Sequence, residues 1–177
     1  MIEMVIESVG RNPANPTRMV VLREKDQKRY LVIVIGIAEA DSIAIKLHKH
    51  TFSRPLTHDL LSTVIETLGA TVVSILINDL ADRTYYARIV LDHNGRHVEI
   101  DARPSDAIAL AVRVDAPILV AESVLEVASF TPAEEEEGDG ESEQVSEPDP
   151  ELEERLGLFR EFINSLDADD MEKPKQE

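Results

Sequence analysis

Hydrophobic positions cluster from Met1 to about Phe130, and their spacing switches between the two-residue period of a strand and that of a helix. Residues 4–9 and 19–22 are apolar-rich and read as strands. Residues 30–35, Tyr-Leu-Val-Ile-Val-Ile, form an unbroken, largely β-branched run, which predicts a strand buried on both faces and ended by Gly36. Ala40, Ile43, Ala44 and Leu47 then share one side of a helix. A second helical stripe follows in Leu61, Val64, Ile65 and Leu68, with Thr57 as the expected N-cap, Asp59 favouring the helix start and Gly69 closing it. Strands are predicted again over 72–77 and 85–91. Asp92-His93-Asn94-Gly95 makes a tight turn, and 97–101 returns. Arg103-Pro104-Ser105-Asp106 opens a helix running to about Val114, with Ser105 as the expected cap, before a short buried strand over 117–120.

The second half repeats the order of the first. At an offset of 65, Ile33 meets Val98, Ile35 meets Ile100, Asp41 meets Asp106 and Ile43 meets Ile108. Upstream, Val20-Val21-Leu22 meets Ile89-Val90-Leu91 at an offset of 69. This implies a single α+β domain over residues 1–130, with an internal β-strands/helix duplication and a mixed or antiparallel sheet.

Beyond it the pattern changes. Residues 131–150 hold the run EEEEGDGESEQVSEPDP, whose single large apolar residue is Val145, so a disordered linker is expected. Leu152, Leu156, Phe159, Ile163 and Leu166 recur at helical spacing, predicting an amphipathic helix over 151–167 that docks on the body or on a partner chain. Residues 168–177 read as a disordered tail. Charge follows the same division. Of the formal net charge of -17, residues 1–130 carry -3 and residues 131–177 carry -14. An acidic shell spread over the whole protein would not divide this way.

Absent residue types exclude several chemistries. With no cysteine there is no disulfide scaffold, thiolate nucleophile or Cys-held metal. No apolar run approaches the roughly 20 residues that span a bilayer, and the start lacks a secretory pattern, so a cytoplasmic location without membrane contact is expected.

Candidate chemistry lies where the overlay breaks. His97, Glu99 and Asp101 alternate onto one side of their strand, opposite Val98 and Ile100. Two carboxylates and an imidazole there can hold a hard divalent cation, with Asp106 close by in sequence, or simply show water a polar face. In both Arg-Pro segments, Arg54-Pro55 and Arg103-Pro104, proline holds the arginine extended ahead of a helix. Each is either a helix-entry device or a phosphate contact beside a helix N-terminus. His58 is a general base, a metal ligand or an ordinary first-turn residue.

Three stretches, GIAEA over 36–40, RPLTHDLL over 54–61 and RPSDAIALA over 103–111, closely resemble the bifunctional nuclease domain family. The resemblance spans about residues 1–130, and LGLFREFINSLDADDM resembles an extension seen after this domain in bacterial members. It implies an α+β fold with an internal repeat and nuclease activity on DNA and RNA. On that reading Glu99, Asp101 and Asp106 are the metal candidates, for Mg²⁺ or Mn²⁺. Arg54 and Arg103 hold phosphate, His58 handles a proton, and Asp59 is a further candidate. No basic cluster stands out in the sequence and aromatics number 7 of 177, so nucleic-acid binding is expected to be weak and salt-sensitive. The alternative is a non-enzymatic binding or regulatory module that recruits a protein partner, or a second copy, through the 152–166 helix.

Overall fold

The computed structural model describes residues 1–11 and 17–132. The expected linker, C-terminal helix and tail lie outside the described residues, apart from Thr131 and Pro132. In chain order the elements are β1 (Ile2–Arg11), β2 (Arg18–Glu24), β3 (Tyr30–Ile35), α1 (Ile37–Leu47), α2 (Thr57–Thr67), β4 (Ala70–Ala81), β5 (Thr84–His93), β6 (Arg96–Ala102), α3 (Pro104–Val114), β7 (Ile118–Val120), α4 (Glu122–Ala128) and β8 (Ser129–Phe130). All eight strands join one sheet in the order β6-β5-β4-β7-β1-β2-β3-β8. Two three-stranded meanders thus flank β7, which runs parallel to β4 and antiparallel to β1. The sheet is mixed, and each meander feeds a helix.

The duplication is visible in the ladders. Ile6 pairs with Leu22 and Ser8 with Val21, leaving Glu7 as a bulge; Val72 pairs with Leu91 and Ser74 with Val90, leaving Val73 as one. The bulges coincide when β2 is laid on β5 at the offset of 69. Leu22 then pairs with Leu31 as Leu91 pairs with Val98, which moves the strand–helix offset from 65 to 67. The shift of two is one pleat, so every side chain of the strand keeps its face. At 67 the ends of β3 and β6, and both ends of α1 and α3, superpose. Glu39, rather than Asp41, becomes the counterpart of Asp106.

The core lies between one sheet face and the helices, with Val20, Leu22, Leu31, Ile33, Ile43, Ile75, Ile108, Leu110 and Leu125 buried in it. Opposite, Met19 and Val21 form a smaller cluster with Tyr30, Val32 and Phe130, whose ring stacks on Tyr30 at 5.8 Å. The predicted two-sided burial of β3 is therefore incomplete. Val32 is half-buried against the second cluster, but Val34, although paired with Met19, is 63% exposed. Helix starts also sit earlier than expected. Leu56 is the N-cap of α2, while Arg103 is that of α3 with Pro104 in the first turn, where its missing N–H costs nothing. Gly69 closes α2 at φ 77°, and Asn94-Gly95 turn the β5–β6 hairpin at φ 55° and 76°. Among the described residues no helix is long and apolar enough to cross a membrane.

Candidate functional site

Three helices start beside one another, and each carries an acid at its third residue: Glu39 in α1, Asp59 in α2 and Asp106 in α3. The positive end of a helix favours an anion at that position. In α2 the acid serves the helix itself, since Asp59 Oδ2 accepts the Leu56 N–H at 2.8 Å. In α1 and α3 the acids turn to a shared cation. Arg103 donates from Nε to Asp106 Oδ2 at 2.6 Å, and from one terminal nitrogen to Asp106 Oδ1 at 3.1 Å and Glu39 Oε1 at 2.6 Å. One guanidinium thus bridges equivalent acids of the two repeats. Hydrogen bonds that Arg103 donates to Asp106 and then to Glu39 raise its pKa further, so it is a permanent cation.

His58, buried in the first turn of α2, completes the network. Its Nε2 lies 3.2 Å from Asp106 Oδ1 and its Nδ1 2.9 Å from Ser42 Oγ. Burial opposes ionisation of Asp106, but hydrogen bonds from Arg103 and then His58 outweigh it, holding the carboxyl below its ordinary range. A carboxylate only accepts, so Nε2 carries a proton. In the neutral ring, Nδ1 then accepts from the Ser42 hydroxyl. The chain Ser42–His58–Asp106–Arg103–Glu39 draws on α1, α2 and α3.

Behind it stands a buried clamp. Arg113, its side chain 3% exposed, donates to Asp59 Oδ1 at 2.6 Å, to the Ser42 carbonyl at 3.2 Å and to the Ala109 carbonyl at 2.7 Å. Both Asp59 oxygens are thereby engaged. Burial again opposes ionisation, and the Leu56 N–H and then Arg113 prevail, so the Asp59 pKa is lowered. Asp59 starts and anchors α2.

Of the residues anticipated from sequence, the fold brings together His58, Arg103 and Asp106. Asp59 lies one residue from His58 but faces Arg113. Arg54 is exposed and forms no ion pair among the described residues. The set Glu99, Asp101 and Asp106 is not gathered. Val98 and Ile100 pair with Leu91 and Ile89 on the helix side of the sheet, so alternation sends Glu99 and Asp101 to the opposite side from Asp106. Glu99 is engaged by Arg88, and both Asp106 oxygens are held by Arg103 and His58. Among the described residues no three His, Asp or Glu side chains are grouped to hold a metal. This donor set therefore does not fit a divalent cation. Glu39, Ser42 and Arg113 are the site residues that sequence reasoning missed. Glu39 lay within a motif stretch, but the offset of 65 matched Asp41 to Asp106 in its place.

The model of the bifunctional nuclease domain matches residues 20–133. An uncharacterized protein of Mycobacterium tuberculosis is 38% identical over 152 residues, covering 86% of this chain and 87% of that protein. Bifunctional nuclease 2 of Oryza sativa subsp. japonica is 32% identical over 124 residues, and the bifunctional nuclease of Oryza minuta 30% over 129. These matches cover 66% and 67% of this chain but 38% and 39% of the plant proteins. The chain belongs to the bifunctional nuclease domain family.

Proposed function

We propose that the protein is a nuclease that hydrolyses phosphodiester bonds of RNA, DNA or both. One observation carries the reading. All three motif stretches, distant in sequence, contribute to one polar network: Glu39 from the first, His58 from the second, Arg103 and Asp106 from the third. Arg103 keeps 66% of its side chain exposed and offers a phosphate a planar, permanently charged donor. Arg54, exposed ahead of α2, offers a second. His58 is buried with both nitrogens engaged, so it handles a proton through the Ser42 hydroxyl and is a positioning residue. Asp106 orients it. A divalent ion would shield charge on the phosphate and ionise water. The anticipated ligands are engaged elsewhere, Glu99 by Arg88 and Asp106 by Arg103 and His58.

Cleavage of single-stranded RNA and DNA by the purified full-length chain, with Mg²⁺, Mn²⁺ or chelator, tests the proposal. Asp106→Asn is expected to lower the rate about a hundredfold or more, within the range for lost proton handling. Equal rates in the wild type and Asp106→Asn would show that the activity does not arise here.

A further inference from the structure

The connection between α1 and α2, residues 48–56, has no counterpart in the second repeat, where α3 leads through three residues into β7. It stands out in charge as well. Between Asp41 and Asp59 no acid occurs, while Lys46, Lys49, Arg54 and three of the chain's five histidines do. Residues 46–55 are all exposed. Lys46, Lys49 and Arg54 form no ion pair among the described residues, as is true also of Arg11, Arg18 and Arg96, whereas Arg23, Lys25, Arg29, Arg88, Arg103 and Arg113 are all paired. Phe52, at 59% exposure, stands among these cations. No long basic run stands in the sequence, but Lys46, Lys49 and Arg54 are exposed together. Summed charge hid this local cluster.

Its placement is equally specific. Lys46 lies one helical turn beyond Ser42, which bonds His58, and Arg54 lies four residues before His58. Lys49 occupies the left-handed position that ends α1, at φ 56°, with its N–H on the Lys46 carbonyl and the His50 N–H on the Ile45 carbonyl. Glycine is the residue that fits this conformation without strain. A lysine there works against stability.

We propose that this connection binds a single strand of nucleic acid and leads it to the Arg103–Asp106 network, a reading that rests on the proposed nuclease function. Lys46, Lys49 and Arg54 meet consecutive phosphates, and Phe52 stacks on an unpaired base. Full-length protein is titrated, with divalent cations chelated, into a fluorescein-labelled single strand of roughly 12 nucleotides and into its duplex. Lys46→Gln/Lys49→Gly is expected to weaken single-strand binding about tenfold and to reduce the salt slope by about 0.7 for each cation removed. Its melting temperature should be equal or higher, because Lys49→Gly relieves backbone strain. Phe52→Ala is expected to weaken binding about fivefold or more, with the duplex bound less well than the strand.

Unchanged affinity and slope in the double variant overturn the proposal, and a duplex preference indifferent to Phe52→Ala overturns the single-strand assignment. Failure of the two readings is distinguishable. Asp106-dependent cleavage by a protein whose binding ignores these residues sinks the interface alone. Binding through them without any cleavage sinks the nuclease alone.

Discussion

A Cβ on Gly36 would stand 2.1 Å from Glu39 Oε2, yet the Gly36 φ of -70° suits any residue. Space, not conformation, selects glycine there. Gly36→Ala is therefore expected to fold normally while displacing the Glu39 carboxylate from Arg103. Its signature is a melting temperature within a few degrees of wild type together with reduced cleavage; loss of folding would contradict the argument. Asp106 makes a prediction about pH. Its carboxyl titrates below the ordinary value of 3.8 in the folded chain, so the folded state binds fewer protons there than the unfolded one. The resulting stabilisation is complete above that ordinary value and is lost as pH falls through the lowered native one. Urea unfolding across the acid range should show a shallower loss of stability in Asp106→Asn than in wild type. Parallel curves would mean that the pair with Arg103 contributes nothing to stability.

At the scale of elements, the order of strands and helices was legible because apolar period tracks burial. Residues 30–35 declared a strand through their unbroken, largely β-branched run, and residues 40–47 a helix through spacing. Ends were harder to read, since Thr57 and Ser105 look like caps but Leu56 and Arg103 hold those places. The α4–β8 segment was not anticipated. Its seven-residue helix is too short to show a clear period, yet Leu125 is fully buried and Phe130 pairs with Tyr30 at the edge of β3. Leu125→Ala should cost about 2–5 kcal/mol, measurable by denaturant titration. Part of the site was also legible, for the motifs supplied His58, Arg103 and Asp106. The metal set failed because closeness in sequence between Asp101 and Asp106 hides the sheet that passes between them. Arg113 was invisible, since a lone cation at a helix end ordinarily faces water. Here it ties α1, α2 and α3 together. Replacing it with Met removes charge-assisted bonds, but Asp59 at 40% exposure can rehydrate. The expected loss is accordingly about 1–3 kcal/mol, rather than the larger cost of stranding a buried charge.

Over the whole molecule, charge opposes the nucleic-acid reading at long range and supports it at short range. The net of -17 repels a polyanion, and most of it resides in residues 131–177. The exposed cations of 46–54 attract one locally. Salt separates the two effects, because the Debye length falls from about 30 Å at 0.01 M to about 3 Å at 1 M, so distant repulsion is screened before close contacts are. Changing Glu134, Glu135, Glu136 and Glu137 to Gln in the full-length chain removes four of these charges without touching the domain. If the acidic run acts by general repulsion, oligonucleotide affinity rises at low ionic strength and the gain vanishes as salt is added. If the run instead occupies the basic connection as a mimic of nucleic acid, part of the gain persists at high salt, and Lys46→Gln/Lys49→Gly abolishes it. General repulsion is the expected result, since it requires nothing beyond the charges. A titration of the quadruple variant and wild type at three salt concentrations decides between them.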